Sequence, residues 1–134
     1  MVLITVEAEI RPTEDPEKVK KAVLAVVNPE SIEVEELGEG YRVLRARSTK
    51  IESLEPLRNM ARAQEAEPAL RSYLVKYRHG NTITILLHKQ AAYAGKMSLV
   101  DSDKESPLSP IRLAIEGTNK ELSSAVEYLT SGTR

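Results

Sequence analysis

The stretch SIEVEELGEGYRVLRARS, residues 31–48, decides the fold. Ile32 and Val34 alternate with glutamates in its first half, and residues 38–40 spell Gly-Glu-Gly. Apolar and polar side chains that alternate with a period of two predict a β-strand, and a glycine-rich turn between two such segments predicts a β-hairpin. Because a hairpin places its strands side by side and antiparallel, this stretch argues against the parallel sheet of a doubly wound fold.

The chain before this hairpin predicts one strand and one helix. Residues 2–10 alternate between apolar and polar side chains, so one face of a first strand should be buried. Asp15 followed by Pro16 predicts the start of a helix, since aspartate caps helices and proline is tolerated in the first turn. Asn28 and Pro29 predict the end of that helix.

The chain after the hairpin predicts three more helical stretches and three more strands. Pro68 lacks a helical N–H donor and disfavours helix at Glu67, so the helical segment should break or kink at these residues. The other elements are strands at residues 83–87, 97–100 and 111–116, and a last helix that begins with a capping box at residues 118–121. The order βαββααβββα predicts one α+β domain over residues 1–134, with a mostly antiparallel sheet and helices packed on one face.

The third strand, residues 41–48, carries three arginines and one irregularity. Its apolar residues change parity between Val43 and Leu44, and a bulge there would place all of them on the core side. The same bulge would place Arg42, Arg45 and Arg47 together on the solvent side. Because this strand holds no acidic residue, we predict that its arginines contact phosphates of an anionic partner.

Charge is distributed unevenly along the chain. Residues 1–40 hold 4 basic and 10 acidic side chains, residues 41–96 hold 11 and 4, and residues 97–134 hold 4 and 6. A basic middle segment between acidic flanks is typical of a surface for an anionic partner. The alternative is that acidic and basic segments become neighbours in the fold and neutralise each other.

The stretch HKQAAYAGK, residues 88–96, is a second candidate for binding. Lys89 and Lys96 can neutralise phosphates, Gln90 adds a polar contact, and Tyr93 can stack on a base. We therefore predict an RNA contact here and expect both lysines to be exposed. The alternative is a tight structural connection in which Ala91, Ala92 and Tyr93 pack on the core.

Other classes of function lack support in the sequence. The chain has no cysteine, no apolar run long enough to span a bilayer, and no catalytic or nucleotide-binding motif, so we expect a cytoplasmic protein without enzymatic activity or cofactor. Asp101, Asp103 and Glu105 resemble half of a calcium loop. Ser106 and Arg112 stand where the loop requires glycine and a closing acid, so we predict no metal site.

The stretch at residues 88–96 resembles an archaeal protein family of uncharacterised function whose members carry Lys-Gln-Ala-Ala followed by Gly-Lys. Residues 89–92, 95 and 96 match, whereas His88 stands where the family is expected to have asparagine. Arg62, Gln64 and Arg71 also resemble the family pattern, but Glu65 and Pro68 depart from it. The resemblance implies a fold like that of the large-subunit ribosomal protein that binds five-S RNA, and a role in RNA binding.

Two hypotheses for function follow from these patterns. The first is an RNA-binding module that contacts phosphates of structured RNA. Its candidate residues are Arg42, Arg45, Arg47, Lys89, Gln90, Tyr93 and Lys96. The second is a protein-interaction or assembly module, a homodimer that uses a sheet edge or a helix face. The two differ in whether the positive charges of the middle segment converge on one face.

Overall fold

The computed structural model of the chain describes residues 1–101 and 109–131. Within these residues the chain forms a six-stranded antiparallel sheet and five α-helices, which confirms the predicted α+β class. The strands are β1 (Leu3–Ile10), β2 (Ser31–Gly38), β3 (Tyr41–Ser48), β4 (Arg78–His79), β5 (Thr82–Leu87) and β6 (Ile111–Glu116). The helices are α1 (Pro16–Leu24), α2 (Glu55–Ala63), α3 (Glu67–Lys76), α4 (Lys89–Tyr93) and α5 (Asn119–Thr130), with a 3₁₀ turn at Ile51–Leu54 before α2.

The sheet has the order β2-β3-β1-β6-β5-β4 and packs one face against the helices. The even-numbered residues of β1 are buried on this face, and the odd-numbered ones alternate with them on the open face. The core is almost entirely aliphatic, as the absence of Phe and Trp requires. β1 lies between β3 and β6, so the first strand of the chain becomes a central strand.

The predicted bulge at Val43 and Leu44 is wrong. β3 pairs with β1 in unbroken register from Arg42 to Ser48, and the irregularity of the hairpin lies in β2, between Glu36 and Gly38. Strict alternation therefore buries Leu44 and Ala46 and sends Val43 to the open face with Arg45 and Arg47. Arg42 shares the parity of the buried residues, so the three arginines do not share one face.

The predicted break near Pro68 is present. α2 ends at Ala63, Glu65 adopts a left-handed backbone with φ of 53°, and α3 begins at Glu67. Pro68 lies in the first turn of α3, where its missing N–H has no intrahelical partner to lose. The helical segment is therefore interrupted just before Glu67 and Pro68, at residues 64–66.

The connection between β5 and β6 differs in detail from the prediction. Residues 97–100 do not form a full strand and contribute one antiparallel bridge, between Leu87 and Leu99. Gln64 holds this connection, because its side-chain amide donates to the carbonyl oxygen of Met97 at 3.0 Å and accepts from the Met97 N–H at 2.7 Å. The additional strand is β4, which pairs with β5 across a turn at Gly80.

No helix in the described part of the chain has both the length and the apolar character that crossing a membrane requires.

Candidate nucleic-acid interface

The arginines of β3 lie between two acidic strands. The Arg45 guanidinium donates to Glu7 of β1 at 2.8 Å and also to Glu35 of β2. The hydrogen bonds that Arg45 donates, first to Glu35 and then to Glu7, raise the pKa of Arg45 further above its already high value. Arg45 is thus held inside an acidic clamp, and its charge is largely neutralised within the protein.

The other two arginines of β3 differ from Arg45 and from each other. Arg42 lies on the helix side of the sheet and forms an ion pair with Glu36 at 3.2 Å. Arg47 is exposed, lies opposite Thr5 and Ser31, and forms no ion pair within the part of the chain that the structure describes. Of the three arginines predicted to contact phosphate, only Arg47 has a charge that no carboxylate of the described residues neutralises.

The open face also carries two acidic residues on its central strand, β1. Glu7 lies opposite Arg112 of β6, and Glu9 accepts hydrogen bonds from Ser109 at 2.9 Å and from Arg11 at 3.3 Å. The Ser109 hydrogen bond, helped by Arg11, lowers the pKa of Glu9, which keeps that carboxylate charged. Acidic and basic segments are therefore neighbours on this face, and the positive charge of the middle segment does not gather there.

Residues 88–96 form a short helix, α4, followed by a tight turn. His88 caps the helix, because its Nδ1 accepts a hydrogen bond from the Ala91 N–H at 3.2 Å. An asparagine at this position would offer the same kind of acceptor. The turn ends at Gly95, whose φ of 85° is a left-handed conformation that glycine adopts without strain.

The prediction that Lys89 is exposed is wrong. Its side chain is 5% exposed and points into the protein, where Nζ forms an ion pair with the Glu14 carboxylate at 3.0 Å. The same Nζ donates to the backbone carbonyl oxygen of Glu9 at 2.6 Å. Lys89 ties α4 to the connection between β1 and α1, and this buried position leaves it no contact with a phosphate.

The other predicted residues of this stretch are on the surface. Gln90 and Lys96 are exposed, and Tyr93 is 40% exposed, whereas Ala92 is buried against the core. The alternative of a structural connection therefore holds for Ala92 and Lys89. The binding interpretation remains open for Gln90, Tyr93 and Lys96.

Two lysines that the sequence analysis did not select lie beside Tyr93. The ammonium groups of Lys18 and Lys21, both on α1, lie 5.9 and 5.3 Å from the centre of the Tyr93 ring. Their spacing of three residues places them on one side of α1, but nothing in the sequence indicates that α1 packs against α4. We call Lys18, Lys21, Gln90, Tyr93 and Lys96 the α1–α4 surface.

A hollow of about 350 Å³ opens on the α1–α4 surface. Thr13, Glu14, Lys18, Gln90 and Tyr93 contribute to its walls. The Glu14 carboxylate is neutralised by Lys89, and Asp15 accepts a hydrogen bond from the Glu17 N–H as the N-cap of α1. The hollow thus combines an aromatic ring, the ammonium group of Lys18, which forms no ion pair within the described residues, and a polar amide, and Lys21 lies beside the same ring.

The remaining candidates from the sequence take structural roles or fall outside the described residues. Arg71 forms an ion pair with Glu127 at 2.7 Å. Asp103, Glu105 and Ser106 of the calcium-like pattern lie outside the described residues, and Asp101 accepts a hydrogen bond from the Tyr77 hydroxyl at 2.5 Å. The described residues contain no cluster of His, Asp or Glu side chains arranged to hold a metal ion.

Comparison with known proteins places this chain in a family. A family model described as RNA binding matches residues 3–116. A UPF0201 protein of Aeropyrum pernix is 49% identical over 119 residues, which cover 88% of this chain and 79% of the relative. A UPF0201 protein of Metallosphaera sedula is 41% identical over 133 residues, covering 99% of this chain and 90% of the relative.

Solved structures agree with the fold. A crystal structure of a UPF0201 protein from Methanococcus jannaschii superimposes with a TM-score of 0.83 at 24% identity, covering 98% of this chain and 95% of that one. The crystal structure of another uncharacterised UPF0201 protein gives a TM-score of 0.74 at 30% identity, with 96% and 92% covered. The chain therefore belongs to the archaeal UPF0201 family, whose model is described as RNA binding.

Proposed function

We propose that this chain binds structured RNA through the α1–α4 surface, with its lysines on phosphates and Tyr93 stacked on an unpaired base. The description of the family supports RNA as the ligand and names no reaction, which fits a binding module without catalysis that works in the cytoplasm. The observation that carries the proposal is the half-exposed Tyr93 ring with the ammonium groups of Lys18 and Lys21 within 6 Å of its centre.

This arrangement suits a nucleotide that has left a duplex. Proteins that bind single-stranded segments combine cations that follow the backbone with aromatic rings on which bases stack. In structured RNA such bases occur in loops and bulges, where they are free to leave the stack. Gln90, exposed in the same hollow, offers both a donor and an acceptor to a base edge.

The arginines of β3 contribute less to this proposal than the sequence suggested. The charges of Arg45 and Arg42 are already matched by Glu7, Glu35 and Glu36. A phosphate at this face would have to displace an internal carboxylate or lie close to it. Arg47 alone is placed to add one phosphate contact from β3.

The test is the salt dependence of RNA binding. We expect a short RNA hairpin with a single-stranded loop to bind with a slope of log affinity on log salt of about −2 to −3, as three lysine contacts require. Changing Lys18 and Lys21 together to alanine should reduce this slope by about 1.5 to 2, since two phosphate contacts are lost.

The matched control changes Lys50 and Lys120 to alanine. Both are exposed, lie outside the α1–α4 surface, and give the same change in net charge. This control should leave the slope almost unchanged. Equal losses in the two double variants would mean that binding responds only to net charge, and an absence of binding at low salt would refute RNA binding by this chain.

A further inference from the structure

The outer edge of β2 is an open strand edge at one end of the sheet. Among residues 1–101 and 109–131, β2 pairs only with β3, and all eight of its residues are exposed. The opposite end of the sheet is β4, which has two residues. An edge strand presents unpaired N–H and C=O groups to which another strand can add, and β2 is long enough for such pairing.

The side chains of β2 divide into an apolar and an acidic face. Ile32 and Val34 lie on the helix side, opposite Ala46 and Leu44, and are 37% and 52% exposed. Glu33 and Glu35 lie on the open side. Proteins commonly protect such an edge with lysine, proline or an early bulge, and β2 has only the bulge at its far end, between Glu36 and Gly38.

The charge of this edge argues against pairing with a second copy of itself. Residues 22–41 contain five glutamates and no lysine or arginine. Glu35 and Glu36 already pair with Arg45 and Arg42 of β3, whereas Glu30, Glu33 and Glu39 form no ion pair within the described residues. Two β2 strands added antiparallel about a two-fold axis would bring Glu33 and Glu35 of one chain against the same residues of the other. Like charges that face each other across strands are destabilising, so the edge favours a basic partner.

β3 shows which strand fits beside β2. On the inner edge of β2, Glu33 lies opposite Arg45, Val34 opposite Leu44, and Ile32 opposite Ala46. Side chains of a strand project from the two faces of the sheet, so a strand added at the outer edge would meet the same apolar and acidic faces that β3 meets at the inner edge. We propose that the outer edge of β2 binds, by strand addition, an extended protein segment in which apolar side chains alternate with arginine or lysine.

The experiment uses the full chain and a synthetic peptide with the sequence of residues 41–48 as the basic strand. We expect this peptide to slow amide hydrogen exchange in residues 31–38, because their outward N–H groups become hydrogen-bonded. A control peptide in which the three arginines are replaced by glutamate keeps the apolar pattern and should give no protection. Equal protection by both peptides, or none by either at saturating concentration, would overturn the proposal.

A variant separates the edge from the rest of the molecule. Val34→Lys places a like charge and a hydrated ammonium on the apolar face, so protection by the basic peptide should be lost. Val34 is half exposed, so thermal unfolding should hardly change. If the basic peptide still protects residues 31–38 in this variant, the proposal is contradicted. It is also contradicted if light scattering detects a dimer of the protein without peptide and Val34→Lys dissociates that dimer.

Discussion

The arginines of β3 come from the basic middle segment of the chain, whereas Lys18 and Lys21 of the α1–α4 surface come from its acidic first segment. The fold pairs Arg42 and Arg45 with carboxylates but leaves Lys18 and Lys21 without an ion pair among the described residues. β3 enters the sheet between β2 and β1, and both neighbours supply glutamates that pair with Arg42 and Arg45. Lys18 and Lys21 come from the acidic first segment, but α1 directs them towards Tyr93. Positive charge counted along the sequence therefore does not locate positive charge on the surface.

Lys89 provides a further test of this comparison, because it lies in the predicted binding motif but its side chain is buried in the structure. Changing Lys89 to methionine keeps most of the side chain but leaves the Glu14 carboxylate, which is 9% exposed, without its cation. Removal of one partner of a buried ion pair costs about 3–5 kcal/mol. We expect a loss of about 3 kcal/mol in the free energy of unfolding, near the lower limit because the Arg11 N–H still donates to Glu14.

Chemical denaturation measures this loss, with Lys96→Met as the control. Lys96 is exposed, so its replacement should change the unfolding free energy by less than about 0.5 kcal/mol. The double change of Lys89 to methionine and Glu14 to leucine should recover much of the loss, because no charge then stays buried alone. A single Lys89→Met variant as stable as Lys96→Met would refute the buried ion pair.

The prediction of the fold from the sequence succeeded where the signal is local. Alternation in β1, the turn between β2 and β3, the Asp15 cap and the Thr118 capping box each specify an element through neighbouring residues, and all are present. The predicted bulge was wrong because the alternation of apolar and polar residues cannot show that the apolar Val43 lies on the open face of the sheet. The prediction of a strand at residues 97–100 was wrong because the backbone groups of Met97 bond to the side chain of Gln64, which is distant in sequence, and only Leu99 forms a bridge.

The site was predicted only in part, for a similar reason. Tyr93, Gln90 and Lys96 are exposed, as a binding role requires. The burial of Lys89 depends on Glu14, 75 residues away, and the placement of Lys18 and Lys21 depends on the packing of α1 against α4. A single sequence carries no signal for either contact, so the motif indicated the segment of the proposed surface but not all of the residues that the structure brings together there.

Tyr93 and Tyr41 offer a direct test of the two regions, since both rings are 40% exposed. Tyr41 begins β3, at the hairpin end of the arginine strand, and Tyr93 lies beside Lys18 and Lys21 of the α1–α4 surface. Removing a stacking aromatic costs about 1–3 kcal/mol of binding free energy per base. We therefore expect Tyr93→Ala to weaken RNA binding about tenfold or more, and Tyr41→Ala to leave it nearly unchanged.

Fluorescence anisotropy with the RNA hairpin measures both affinities, and thermal unfolding of each variant shows whether the fold is kept. Both variants should remain folded because neither ring is buried in the core. Equal weakening by the two substitutions would mean that RNA also uses the arginine strand. Unchanged affinity in Tyr93→Ala would remove stacking from the proposed function and leave only phosphate contacts.

The smallest expected effect comes from releasing Arg45 from its acidic clamp. Changing Glu7 and Glu35 to glutamine keeps the shape of both side chains but removes the two carboxylates that Arg45 contacts. If internal neutralisation is what excludes the sheet from binding, the released arginine should add about one phosphate contact. The salt slope of RNA binding should then become steeper by about 0.7 to 0.9.

A control with the same change in net charge decides whether this gain is local. Glu39 and Glu52 are exposed, and neither forms an ion pair with the residues that the structure describes. Changing both to glutamine should raise affinity slightly through long-range attraction but leave the slope nearly constant, because no new cation becomes available to a phosphate. If the two double variants steepen the slope equally, the acidic clamp is not what separates the sheet from the α1–α4 surface. If Glu7 and Glu35 alone steepen it, the arginines of β3 are competent for phosphate and are withheld from it by their neighbours.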